Sequence, residues 1–203
     1  MSAARTFARA TLFYFGAVEF AASMLRHRVR SDAYAAAMDR AADLGRPLVV
    51  IGDPDAGLHT RLMRAYGCGD VCVDANGCRK CPETITADIA AGPIAGLADD
   101  SAVVFVSCVL EYVPDLHAAL AEIARIAGTV DNVFIVTVQP WTLTARLYPG
   151  AVWRGSAEVR GDQAMVSMTP VTLGEKLVAT AMIGLTAAFA FWPRGQTRRG
   201  RTP

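Results

Sequence analysis

The residues with the means to do chemistry fall at the ends of apolar runs. Gly52-Asp53-Pro54-Asp55-Ala56-Gly57 follows the run Leu48 to Ile51 directly, and places two glycines, two carboxylates and a proline in one short loop. Asp74 closes the next apolar run, Asp88 and Ile89 follow a third, and Ser107 and Cys108 end a fourth with Glu111 just beyond. A carboxylate so placed can accept charge-assisted hydrogen bonds from a ligand's hydroxyls. A loop poor in bulky side chains lets backbone approach a ligand closely. Two nucleotide chemistries are excluded by specific residues. Gly52 and Gly57 have the glycine spacing of a phosphate-binding loop, but Leu58 and His59 stand where Lys and Ser or Thr would hold phosphate and magnesium. The dinucleotide fingerprint G-x-G-x-x-G fails at Pro54.

The cysteines form the second group. Cys68-x3-Cys72-x5-Cys78-x2-Cys81 carries four thiols in 14 residues, and Cys108 makes a fifth. C-x2-C is a zinc half-site, but C-x3-C is a poorer partner and Cys72 falls inside an apolar run that reads as a strand. Zinc is therefore not expected, and no metal ligand is assigned. A redox pair, Cys78 with Cys81 or Cys68 with Cys78, is the other use of these thiols. The odd count and the α/β pattern argue against a secreted disulfide scaffold. His27, His59 and His117 belong to separate segments, and their order reveals no nucleophile-histidine-acid arrangement. His59 reads as a helix-surface residue, and no catalytic residue is assigned.

These groups need a scaffold. Leu48 to Ile51 is apolar and β-branched, the pattern of a strand buried on both faces. Asp70 to Asp74, Thr84 to Ile89, Ala102 to Val106 and Asn132 to Val138 read as further strands. Helices are predicted over residues 31 to 45, over Leu58 to Ala65, and after the Pro114-Asp115 cap. Alternation of this kind implies parallel βαβ units. The expected fold is α/β: a Rossmann-like, doubly wound, mostly parallel sheet with flanking helices. The Gly52 loop then lies at the carboxyl edge of the sheet, where such folds bind ligands. Val152 to Val159 and Gln163 to Met168 are predicted to form an antiparallel pair.

The chain has 203 residues, 53% of them hydrophobic, which suits one domain with apolar appendages. The net charge of +1, with 18 arginines and two lysines, implies no polyanion-binding surface, so no nucleic-acid partner is expected. The appendages are at the ends. Residues 6 to 25 form an apolar, helix-compatible run interrupted by Glu19, and Leu177 to Trp192 is apolar and uncharged before Pro193 and an arginine-rich tail. Glu19 and the following Arg26, His27, Arg28 and Arg30 argue against a signal peptide. A spanning helix needs about 20 apolar residues, so these runs are read as peripheral or anchored elements that pair with each other or with a membrane surface. The division is an apolar N-terminal helix (1–30), an α/β domain (31–170), and an apolar C-terminal helix with its tail (171–203). The location implied is cytoplasmic and membrane-associated; an oligomer is compatible with it.

Residues 47 to about 138 resemble the class I S-adenosylmethionine-dependent methyltransferases, in particular the small "type 11" group. The most specific stretch is Asp99 to Ile126, DDSAVVFVSCVLEYVPDLHAALAEIARI, with Leu110-Glu111-Tyr112-Val113 and then Glu122-Ile123-Ala124-Arg125. Val49-Val50-Ile51-Gly52 resembles the family's first motif, although Val50 stands where an acidic residue is usual and Asp53 to Asp55 where glycines are. The resemblance implies that Gly52, Pro54 and Gly57 approach S-adenosylmethionine, that Asp74 holds its ribose, and that Asp88 and Ile89 lie by its adenine. Ser107, Cys108 and Glu111 would face the active-site side. It implies a methyltransferase-like protein acting on a small or lipidic acceptor. Methyl transfer needs chiefly alignment of nucleophile and methyl group, so a dedicated acid or base is not required. The altered loop gives a second expectation, a catalytically inactive domain serving as a membrane-associated structural or interaction module.

Overall fold

The computed structural model describes residues 3–56, 63–139, 142–147, 150–160 and 163–191. Five short strands form one sheet: β1 (Leu48–Ile51), β2 (Val71–Asp74), β3 (Thr84–Thr86), β4 (Val103–Ser107) and β5 (Val133–Val136). Their order is β3-β2-β1-β4-β5 and every pairing is parallel. This is a parallel α/β sheet flanked by helices, compatible with a Rossmann-like fold. β1 and β4 are buried along their whole length, which explains why they are apolar without alternation. Alternate residues still go to different cores. Val49, Ile51, Val104 and Val106 join one cluster with helix α2 (Leu116–Ala127), while Leu48, Val50, Val103 and Phe105 join another with Ala37 and Ala41 of helix α1 (Ala3–Leu44).

Helix α1 corrects one expectation. The predicted helices over residues 6–25 and 31–45 are one continuous helix of 42 residues. Ser31 and Asp32 have the side chains of a helix start, but Arg26 to Arg30 contain no Gly or Pro to interrupt the helix before them. The helix ends at Gly45, whose φ of +59° suits glycine. Gly45 N donates to the Ala42 carbonyl and Arg46 N to that of Ala41, the paired bonds of a Schellman cap. Residues 57–62, most of the helix predicted over Leu58–Ala65, lie outside the described residues.

Helix α2 starts where its cap predicts: Asp115 accepts from Ala118 N at 3.0 Å. Glu122 and Arg125 on this helix hold the incoming loop. Glu122 accepts from Ile94 N at 2.8 Å, and Arg125 donates to Glu122, to Asp99 and to the Leu97 carbonyl. After β5 come a one-turn helix α3 (Thr144–Leu147) and a separate antiparallel hairpin, β6 (Trp153–Arg160) with β7 (Gln163–Pro170). The last helix, α4 (Leu173–Phe191), opens with a reciprocal capping box: Thr172 Oγ1 accepts from Glu175 N, and Glu175 Oε2 accepts from Thr172 N. It runs antiparallel to the first half of α1, with Arg9 Nε donating to the Ala190 carbonyl at 3.2 Å.

The cysteines correct a second expectation. Cys68 is bonded to Cys81 and Cys72 to Cys78, a nested pair of disulfides. The chain turns at Gly77 after β2 and folds back on itself, so the inner cysteines meet first and the outer ones next. Neither expected pair, Cys78–Cys81 nor Cys68–Cys78, is therefore formed.

Candidate functional site

A cavity of about 880 Å³ opens over the carboxyl ends of β1, β2 and β4. β1 lies between β2 and β4, so this is the point where the chain order reverses and where open α/β sheets leave a crevice. Its wall contains Gly52, Asp74, Asp88, Ile89, Ser107 and Cys108. Pro54 is not on the wall, and Gly57 lies outside the described residues.

The Gly52 loop is built by its own polar groups. Gly52 N donates to the Val73 carbonyl at 2.8 Å, with φ at +105°. A Cβ at this position would stand 2.7 Å from Val109 Cγ2 and 3.2 Å from the Ser107 carbonyl, so only glycine fits between β1 and the turn after β4. Asp53 to Ala56 then form a turn closed by Ala56 N to the Asp53 carbonyl, with Pro54 at its second position. Asp53 is buried and accepts from Asp55 N at 2.9 Å; Asp55 pairs with Lys80 at 3.0 Å. The two carboxylates of this loop therefore stabilise its turn and tie it to the segment after β2.

Asp74 ties the loop to β2. Its Oδ2 accepts from Asp53 N at 3.2 Å and its Oδ1 from Asn76 N at 2.8 Å. A carboxylate has about four acceptor sites, so about two are left for a ligand in the cavity. Asp88 makes a similar local turn by accepting from Ala90 N, and Ile89 is buried beside it.

At the β4 end, Cys108 has a φ of +52° and donates its N–H to the Val136 carbonyl. Arg30 Nη2 stands 2.9 Å from Cys108 Sγ. Burial, then the nearby Glu111, pushes the Cys108 thiol up, and burial raises the Tyr66 phenol to about 12. Both stay protonated at neutral pH, so neither is a ready nucleophile. Glu111 does not reach the cavity. It is buried, accepts from Val138 N at 2.5 Å through Oε1, and uses its carbonyl to hold Val152 N and Trp153 N. The expectation that it faces the site is corrected: it joins the turn after β4 to β5 and to the hairpin. His27 and His117 do not line the cavity, and His59 lies outside the described residues.

Two cavity residues were not singled out in the sequence. Arg26 and Arg30 of α1 are only 9% and 4% exposed, and the Nε of each has no hydrogen-bond partner among the described residues. With Glu19 and Ser23 they occupy successive turns of one helix face, and all four line the cavity. Their spacing was the signal, but the arginines read as charges flanking an apolar run. A buried guanidinium is costly unless it meets an anion; the Glu111 carboxyl lies within electrostatic reach of both, and a ligand's negative group would add to it. The cavity thus has carboxylates at the β1 and β2 tips and guanidinium groups from α1. It can hold a ligand that offers hydroxyls to the first and a negative group to the second.

A second, apolar cavity of about 500 Å³ lies between α1 and α4, lined by Leu12, Phe15, Leu143, Val178, Met182 and Ile183 among others. The two cavities meet along α1, because Glu19 lines the first and accepts from Leu143 N, on the second, at 2.5 Å. No family model, curated protein or solved structure matches the chain.

Proposed function

We propose that the cavity binds S-adenosylmethionine and that the protein is a cytoplasmic, membrane-associated methyltransferase-like protein with a small or lipidic acceptor. One observation carries this reading. Asp74, at the tip of β2, keeps acceptor capacity toward an open cavity of about 880 Å³ beside Gly52, in a sheet of order β3-β2-β1-β4-β5. That volume is within the roughly 300–1,000 Å³ of small-molecule sites. Asp74 would accept the ribose hydroxyls, Ile89 would pack by the adenine with Asp88 at its edge, and Gly52 would let the backbone approach. Arg26 and Arg30 would neutralise a carboxylate or an acceptor's anionic group. The cofactor supplies an electrophilic methyl group on a sulfonium. The residues around it bind, align and exclude water, which is most of what a displacement at that methyl requires. In full, the architecture proposed is doubly wound, with a helix layer on each side of the sheet.

The lipidic acceptor and the membrane rest on α1 and α4. Phe7, Phe13, Tyr14 and Phe20 of α1 and Leu173, Leu177, Val178, Met182, Leu185, Phe189 and Phe191 of α4 are exposed. At about 1.5 Å per residue, α4 is about 28 Å long, close to a hydrocarbon core of about 30 Å. Its first turn carries Glu175 and Lys176, and from Leu177 to Phe191 it has no charge and is little buried by its own chain, which suits it to lipid.

The departures at Asp53 and Pro54 favour a second reading, an inactive methyltransferase-like domain that serves as a membrane-associated module. Calorimetry with S-adenosylmethionine and S-adenosylhomocysteine tests the first reading. Saturable binding is expected; no heat at millimolar ligand refutes it. Binding without methyl transfer to any lipid extract or small-molecule pool would select the second.

A further inference from the structure

The two disulfides lie side by side. The sulfurs of Cys72, Cys78 and Cys81 are all within 4.8 Å of one another, and Cys68 is bonded to Cys81. In a tetrahedral zinc site with zinc–sulfur bonds of about 2.3 Å, the sulfurs stand roughly 3.8 Å apart. Three of the four sulfurs already stand near that spacing, and Cys68, joined to Cys81, is the outlying fourth. Cys72 is fixed in β2 and wholly buried, and Cys78 is buried with its N–H on Thr84 Oγ1 of β3 at 3.1 Å. Arg79, between Cys78 and Cys81, is an exposed cation next to the cluster in sequence, suited to the net negative charge that four thiolates give a divalent ion; Lys80 beside it pairs with Asp55. The donor set is all sulfur, which selects zinc over magnesium or calcium.

We propose that Cys68, Cys72, Cys78 and Cys81 are a four-thiolate zinc site when reduced, and that the paired disulfides are its oxidised, metal-free form. The interconversion balances. A dithiol reductant gives two electrons and two protons to each disulfide and becomes a disulfide itself, leaving four thiols. Zinc then displaces four protons and forms four zinc–sulfur bonds. The reverse step releases zinc and needs a two-electron oxidant such as a peroxide for each disulfide. In a cytosol, where thiols are kept reduced, cysteines at such spacing hold metal rather than disulfides. Cys72 and Asp74 share β2, so either form clamps the strand end that carries Asp74. The inference does not depend on what the cavity binds.

Cobalt is the probe. The full chain is reduced with dithiothreitol, desalted without oxygen and titrated with Co²⁺. One equivalent is expected to bind with thiolate-to-cobalt charge transfer and the visible bands of a tetrahedral site, and Zn²⁺ should displace it. Cys78→Ser with Cys81→Ser should weaken uptake at least 100-fold, while Cys108→Ser should leave it unchanged. A folded reduced chain that takes up no cobalt overturns the proposal, as does uptake that survives the double substitution. If reduction unfolds the chain, recovery of its circular dichroism on adding zinc supports the site, and failure to recover overturns it.

Discussion

Asp74 is the residue on which the cavity's chemistry turns, and its removal has two separable effects. It accepts from Asp53 N, on a buried residue, and from Asn76 N, on an exposed one. In Asp74→Ala, water can replace the partner of Asn76 but reaches Asp53 poorly. Loss of a bond to a charged acceptor at a buried donor costs about 1–3 kcal/mol, and an exposed one about 1 or less. Stability should therefore fall by roughly 1–4 kcal/mol. Binding should fall further, because two ribose hydroxyls lose a charged acceptor at about 1.5–3 kcal/mol each. That is a loss of at least about 100-fold in affinity for S-adenosylhomocysteine. Asp74→Asn keeps one acceptor oxygen and the shape of the side chain, so it should recover part of both. Urea titration measures the first effect. Calorimetry at a temperature where both variants are folded measures the second. A folded Asp74→Ala protein that binds within threefold of the unaltered chain would sink the role given to Asp74, and with it the reading of the cavity.

Other consequences follow from the same geometry. Gly52→Ala places a Cβ 3.2 Å from the Ser107 carbonyl at a φ of +105°, and should cost roughly 2–4 kcal/mol in urea unfolding; a loss below about 0.5 would contradict the close approach there. Burial holds the Glu111 carboxyl above its ordinary value. The folded chain keeps a proton that the unfolded chain releases, so stability falls as pH rises through the interval between the two values. Glu111→Gln can still accept from Val138 N; it should match the unaltered protein near pH 4 and exceed it at pH 8, and lower stability at pH 8 would refute this. Arg125 donates to Glu122 and holds its carboxyl below the ordinary value. That stabilisation is present at neutral pH and is lost as pH falls through the depressed value, so Glu122→Gln should flatten the acid limb of a stability profile. Flotation with liposomes should retain the full chain more strongly than a chain ending at Gly174; equal flotation would exclude α4 as an anchor.

β1, β2, β4 and β5 were legible because they are short apolar runs, and β1 and β4, buried along their whole length, have no polar face to obscure them; β3, a half-exposed Thr-Ile-Thr, was read three residues too long. Six of the eight residues picked for cofactor contact line one cavity, since each was chosen at the carboxyl end of a strand and the parallel order brings those ends together. What escaped had a different physical origin. Arg26 and Arg30 lie far from the strands in sequence, and only a helix that continues without a break carries them over the sheet edge. Glu111 seemed functional from its position beyond β4, but its carboxyl satisfies the Val138 N–H and turns inward. Glu122 and Arg125, in the stretch that carries the family resemblance most strongly, hold residues 94–99 against α2. That stretch marks a way of building the fold, and its presence does not by itself report on chemistry at the cavity.

The cysteine pairing and the cofactor reading constrain each other. Two disulfides persist in an oxidising compartment and are opened in a reducing one. A domain that uses S-adenosylmethionine has to face the cytosol that supplies it, and there its four clustered cysteines would be thiols. The cytoplasmic reading therefore makes a prediction independent of any activity. In cells quenched with acid and alkylated under denaturing conditions without reductant, all five cysteines should take the label, because acid protonates the thiolates and releases any metal. If the protein faces an oxidising compartment instead, only Cys108 should be labelled, since the other four are paired. A count of one would place the domain away from its proposed cofactor, and would favour the membrane-associated module over the enzyme whatever the cavity binds in a calorimeter.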